Sequence, residues 1–156
     1  MRVLCCLDGT NIEQVRKAVS TLIRADALTV GLIFVIDTGP RGEVIGPQRE
    51  RFLRPSQPSL SRREQMQQAE EVAAQDILTE GSDYFTGAEL LRYEGRPERE
   101  IVQCANVWKA DLIVICPRSS SSASPSIGPK SVGHVARFVL DHAPCPVLLL
   151  KRREHL

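Results

Sequence analysis

Net charge is what this 156-residue sequence has least of. Lys plus Arg number 20 against 19 Asp plus Glu, a balance of +1, so no bulk field gathers polyanions over a broad surface. Nucleic acid is therefore not an expected partner. A long apolar run at the N-terminus is also missing. Val3-Leu4-Cys5-Cys6-Leu7 meets Asp8 after five apolar residues, too few for the apolar core of a signal peptide and far too few to span a bilayer. The expectation is a soluble cytoplasmic protein with no membrane partner. Cysteines stand at 5, 6, 104, 116 and 145 with no C-x-x-C pair, and His134, His142 and His155 do not cluster with them. This pattern argues against a metal site and for reduced thiols acting as small hydrophobes, with no structural disulfide. Adjacent Cys5 and Cys6 are expected on opposite faces of one strand. Also absent are a Walker-type G-K-S/T loop, a G-x-S-x-G elbow, and any His or Cys beside an obvious base partner. Dedicated catalysis is not expected, and no catalytic residue is assigned.

What is present reads as one ordinary globular domain over 1–156, with 42% hydrophobic and 25% charged residues. Val3–Leu7 is a short apolar run punctuated by Asp8-Gly9-Thr10-Asn11, as for a buried strand turning into a helix. Ile12, Val15, Val19, Leu22 and Ile23 then keep helical spacing to about Arg24, with Asn11 as cap and Gln14 three residues on. Leu28–Ile36 suits a strand covered on both faces, stopped at Asp37-Thr38-Gly39-Pro40. Residues 38–60 hold four of the ten prolines without periodicity, which predicts a surface connection, either a lid or a solvated loop. Ser61-Arg62-Arg63-Glu64 has capping-box form and opens a second helix that should stop at Gly81. Gly87–Tyr93 reads as a strand, and Pro97 opens a third helix ending near Lys109 with Ile101, Cys104, Ala105 and Trp108 on one face. Asp111–Cys116 is the fourth strand. A serine-rich run follows over 117–130, then a fourth helix capped by Ser131 and ended by Pro144, and a fifth strand at Pro146–Leu150.

Strands alternating with helices imply a Rossmann-like, doubly wound α/β fold: a five-stranded parallel sheet with four helices and right-handed crossovers. Orders 2-1-3-4-5 and 3-2-1-4-5 both obey the rule that ligands sit beyond the carboxyl ends of strands where the winding reverses. Order 3-2-1-4-5 makes strands one and four neighbours at that reversal. It joins the Asp8-Gly9-Thr10 loop to the end of strand four, Ile115 and Cys116, and to the loop running on to Ser131. That loop ends at a helix N-terminus, which favours phosphate, and Arg118 and Lys130 add positive charge at its two ends.

At these residues the sequence resembles the universal stress protein family over nearly its whole length. The markers, in order, are a first strand ending in Asp8-Gly9-Thr10, Gly95-x-Pro97, Ala110-Asp111-Leu112-Ile113-Val114, and Ala143-Pro144-Cys145-Pro146-Val147. Nucleotide-binding members carry a G-x2-G-x9-G-S/T phosphate loop. Here Cys116, Ser119 and Lys130 take the glycine places, Ser131 matches, and the loop is one residue longer. A Cβ at a glycine place restricts both backbone angle and approach to phosphate. The resemblance implies ATP or AMP as a weakly held ligand. It places Asp8 against ribose and phosphates, Cys6 beside the base, the Val35 main chain on the adenine edge, and Ser131 with the Val132 N–H on phosphate. Plainer roles compete: Asp8 as a helix cap, Val35 as core, Lys130 as a solvated charge. Two functions follow from the resemblance. One is a homodimeric adenine-nucleotide-binding module of the stress response, paired through strand five. The other is a nucleotide-independent interaction protein of the same fold.

Overall fold

The computed structural model describes residues 1–39, 60–117 and 132–151. Its elements are β1 (Arg2–Cys6), α1 (Ile12–Leu22), β2 (Thr29–Asp37), α2 (Leu60–Tyr84), β3 (Glu89–Gly95), α3 (Pro97–Val107), β4 (Leu112–Ile115), α4 (His134–His142) and β5 (Val147–Leu149). The five strands form one parallel sheet in the order β3-β2-β1-β4-β5. The order that sets β1 beside β4 is therefore the one adopted.

Side-chain alternation along β1 divides the core. Leu4 and Cys6 face one apolar layer with Ile33, Ile113 and Ile115, closed by Ile101 and Cys104 of α3 and Ala136 and Val139 of α4. Val3, Cys5 and Leu7 face the other with Leu32 and Val114, closed by Val15 and Val19 of α1 and Leu78 of α2. The adjacent cysteines thus point to opposite layers, and all five cysteines are free thiols. Burying each Leu, Ile or Val side chain contributes about 1.5–3 kcal/mol, so the two layers hold the helices to the sheet and fix where the strand ends lie.

Several local expectations are corrected. Asn11 is the N-cap of α1, yet its side chain makes no cap hydrogen bond; it is spent on the preceding loop instead. Helix α2 already includes Leu60, so Ser61 lies inside it and not at its cap, and the helix passes through Gly81 to Tyr84. At Gly81 a Cβ would sit 2.8 Å from Leu32 Cδ1 and 3.1 Å from Leu7 Cδ1. The glycine serves close seating of α2 on the sheet, and packing outweighs its cost of about 1 kcal/mol in a helix. Helix α4 begins at His134 with Gly133 as N-cap, at φ 82° and ψ 160°, so Ser131 does not cap it. That backbone geometry is open to glycine and strained for any other residue. The expected surface loop falls almost wholly at 40–59, and the serine-rich run, with Arg118, Ser119, Lys130 and Ser131, at 118–131. Both stretches lie outside the described residues.

Candidate pocket at the sheet reversal

Where β1 gives way to α1, Asn11 organises the turn. It is only 3% exposed; its Oδ1 accepts from the Asp8 N–H at 3.0 Å and its Nδ2 donates to the Cys6 carbonyl at 2.9 Å. Asp8 Oδ1 accepts in turn from Thr10 N–H at 2.8 Å and from Thr10 Oγ1 at 2.9 Å. One carboxylate oxygen is therefore occupied within the loop. On β2 the chain turns as Asp37 Oδ1 accepts from Gly39 N–H at 2.9 Å, while Thr38 N–H donates to the Gly95 carbonyl at 3.1 Å. At the end of β4, Cys116 Sγ lies 3.6 Å from Gln14 Oε1, and Gln14 Nε2 donates to the Leu150 carbonyl at 3.2 Å. Gln14 thus braces α1 against the ends of β4 and β5.

These turns enclose a cavity of about 610 Å³ beyond the carboxyl ends of β1, β2 and β4, within the range of about 300–1,000 Å³ usual for small-molecule sites. Cys6, Ile33, Val35, Ile101 and Ile115 supply apolar wall, and Asp8, Asn11, Asp37, Arg96, Glu98 and His134 supply polar wall. Val132, Gly133, His134 and Val135 bring the start of α4 to the same space, with its unpaired N–H groups and the positive end of its dipole. Among the described residues no side-chain N or O atom is buried without a hydrogen-bond partner, and no His, Cys, Asp and Glu group is arranged to hold a metal.

Six sequence-predicted residues meet here: Cys6, Asp8, Val35, Ile115, Cys116 and Val132. Gly9 and Thr10 are not among the lining residues. A Cβ on Gly9 would face Ile77 of α2, and Thr10 acts through Asp8. The sequence reading missed Glu98 and His134. Glu98 is 8% exposed, and its Oε1 lies 3.4 Å from His134 Nε2. A histidine does stand beside a carboxylate, 36 positions apart in the chain, a separation no motif scan spans. The one available signal is Gly133-His134 just ahead of the stripe Ala136, Val139, Ala143. The residue that opens α4 is Gly133, three positions beyond Lys130.

Burial pushes the Cys6 thiol well above its usual range, with neighbouring thiols adding to the effect. At this apolar wall it is a neutral S–H and not a nucleophilic thiolate.

The fold and pocket define a doubly wound α/β protein with a small-molecule cavity at the reversal of its sheet. The model of the universal stress protein family matches residues 1–151. A universal stress protein from Thermus aquaticus is 34% identical over 149 residues, 96% of this chain and 97% of that one. The chain belongs to the universal stress protein family. Among solved structures, a universal stress protein from Lactobacillus plantarum superposes at a TM-score of 0.67 with 21% identity, covering 96% of this chain and 97% of that one. A family protein from Arabidopsis thaliana with AMP bound superposes at 0.60 with 16% identity over 98% and 92%. At such identities the likeness is one of fold.

Proposed function

We propose that this chain acts as a single-domain adenine-nucleotide-binding module of the stress response, cytoplasmic, homodimeric and without catalysis of its own. The observation that carries this reading is the cavity at the β1–β4 reversal, where six of the residues singled out in the sequence converge. Cys6, Val35 and Ile115 border the base, Asp8 meets the ribose, and Val132, just ahead of α4, meets phosphate. AMP in the Arabidopsis thaliana relative supports the ligand class. Mass spectrometry of what the freshly purified, denatured protein releases tests the reading. AMP or ATP at a substantial molar fraction is the expected result; no nucleotide released, and none bound at millimolar concentration, rejects it.

One observation favours the second reading, a dimeric interaction protein that uses no nucleotide. Cys116 carries a side chain where the nucleotide-binding pattern has glycine, and that side chain is engaged with Gln14 Oε1 at the pocket wall. Loss of glycine there narrows the approach of the backbone to phosphate. The same mass spectrum separates the two readings.

A further inference from the structure

Besides the thiols of Cys6 and Cys116, five acidic or basic side chains line the cavity: Asp8, Asp37, Arg96, Glu98 and His134. Their burial differs sharply. Asp8, Asp37, Arg96 and His134 are exposed, whereas Glu98 is 8% exposed. Water screens the first four, so the Glu98 carboxylate is the least screened of these charges at the cavity. It stands in the first turn of α3, whose N-terminus favours a carboxylate and makes its burial tolerable. It also faces the phosphate-favouring end of the cavity directly, because its Oε1 lies 3.4 Å from Nε2 of His134, the first residue of α4. A helix N-terminus offers about half a positive charge, and Glu98 sets a whole negative one beside it. His134 offsets that charge only when its imidazole is protonated.

We infer that Glu98 sets the charge of the ligand, so that the pocket takes an adenine nucleoside or its monophosphate in preference to the triphosphate. The inference rests on the adenine reading proposed above. Each added phosphate group brings negative charge toward a buried carboxylate, and the repulsion grows along the series adenosine, AMP, ATP. The adenine wall, built from Cys6, Val35 and Ile115, is indifferent to that charge.

Calorimetry on the intact chain, without magnesium, tests this with adenosine, AMP and ATP as ligands. The parent should bind ATP weakest of the three. Glu98→Gln keeps a polar partner for His134 and removes the charge; it should tighten ATP about tenfold, AMP less, and adenosine not at all, as expected for one unit charge acting through a partly screened medium. A merely structural role for Glu98 would shift all three alike. ATP bound tightest by the parent overturns the inference without any variant. A folded Glu98→Gln protein with an unchanged ATP-to-adenosine ratio also overturns it, while leaving the adenine reading in place. Failure of the parent to bind any of the three removes the adenine reading and this inference together.

Discussion

Asn11 and Glu98 are the polar or charged residues buried among the described residues, and both stand at the pocket. Asn11 ties the Asp8 N–H to the Cys6 carbonyl. Asn11→Ala leaves both groups without that partner, and an unsatisfied buried group costs about 1–3 kcal/mol. A lowered urea midpoint with unchanged m-value is the expected outcome, together with weaker ligand binding, because Asp8 loses its anchor. An unchanged midpoint would show the loop to be held by something else. Gly31 marks a different constraint at the far end of the sheet. A Cβ there would lie 2.9 Å from Cζ2 and 3.0 Å from Cη2 of Trp108. The indole cannot move aside freely, since its Nε1 donates to Glu89 at 2.7 Å and the Arg2 guanidinium stacks on it at 4.1 Å. Gly31→Ala should therefore cost about 1–3 kcal/mol by overpacking and shift the emission of Trp108, the only tryptophan. A neutral effect on both readouts would mean the indole has room to yield.

Among the elements, β5 is the one whose surroundings bear on assembly. It is an edge strand of three residues, and its side chains already pack inward: Val147 and Leu149 on one layer, Leu148 on the other. What it presents outward is backbone. The Ile113 N–H donates to the Pro146 carbonyl and the Leu150 N–H to the Ile115 carbonyl, so the alternate residues Val147 and Leu149 direct their backbone groups away from β4. Unpaired edges recruit strands. A homodimer through β5 is expected at micromolar concentration by sedimentation equilibrium, with Val147 and Leu149 amides whose exchange slows as protein concentration rises. A stable monomer, or exchange at these amides independent of concentration, counts against it. The helix starts teach a separate lesson. The S-x-x-E motif at Ser61 and the serine at 131 are good local caps, yet α2 includes Leu60 and α4 starts at Gly133-His134. Local capping preferences of about 1 kcal/mol yield to where the apolar stripes must land on the sheet.

For the whole molecule, the buried thiols give a stability that depends on pH. Burial, with the Cys116 thiol adding to it, raises the Cys5 pKa to about 12, and burial raises that of Cys6 well above its usual range. The unfolded chain ionises these thiols near pH 8.5–9, roughly the ordinary cysteine value, while the folded chain keeps its protons. Stability is thus full below the unfolded pKa and falls as pH rises through the window up to about 12 for Cys5, by about 1.4 kcal/mol per pH unit for each thiol held neutral. Urea midpoints measured from pH 8 to 10.5 should fall, and a Cys5→Ala, Cys6→Ala double variant should fall less steeply. Parallel slopes would assign the alkaline loss to other groups. Under denaturing, non-reducing conditions five thiols should titrate; in the native protein Cys5 and Cys6 should lag behind the less buried Cys116 and Cys145.

The sequence by itself determined the order of elements and the parallel sheet, and narrowed the winding to two strand orders; the structure then set the pocket between β1 and β4. The physical reason is that apolar runs such as Leu28–Ile36 and the Asp8-Gly9-Thr10 break are local signals, and the handedness of crossovers then leaves few ways to wind five strands. Asp8 and the end of strand four at Ile115 and Cys116 could be placed at the reversal once β1 and β4 are neighbours, whereas Cys6 and Val35 are expected there only through the family resemblance. Only the tertiary structure decided the rest. Gly81 is a packing residue because Leu32 and Leu7 press on it from two other elements. Asn11 is a loop clamp because the groups it bonds lie behind it in β1 and its turn. Glu98 and His134 meet because α3 and α4 stack on the same face of the sheet and bring their N-termini to one cavity. A pair formed across two crossovers leaves no periodic or spaced trace in the chain, since its geometry depends on how both helices seat on the sheet and on each other.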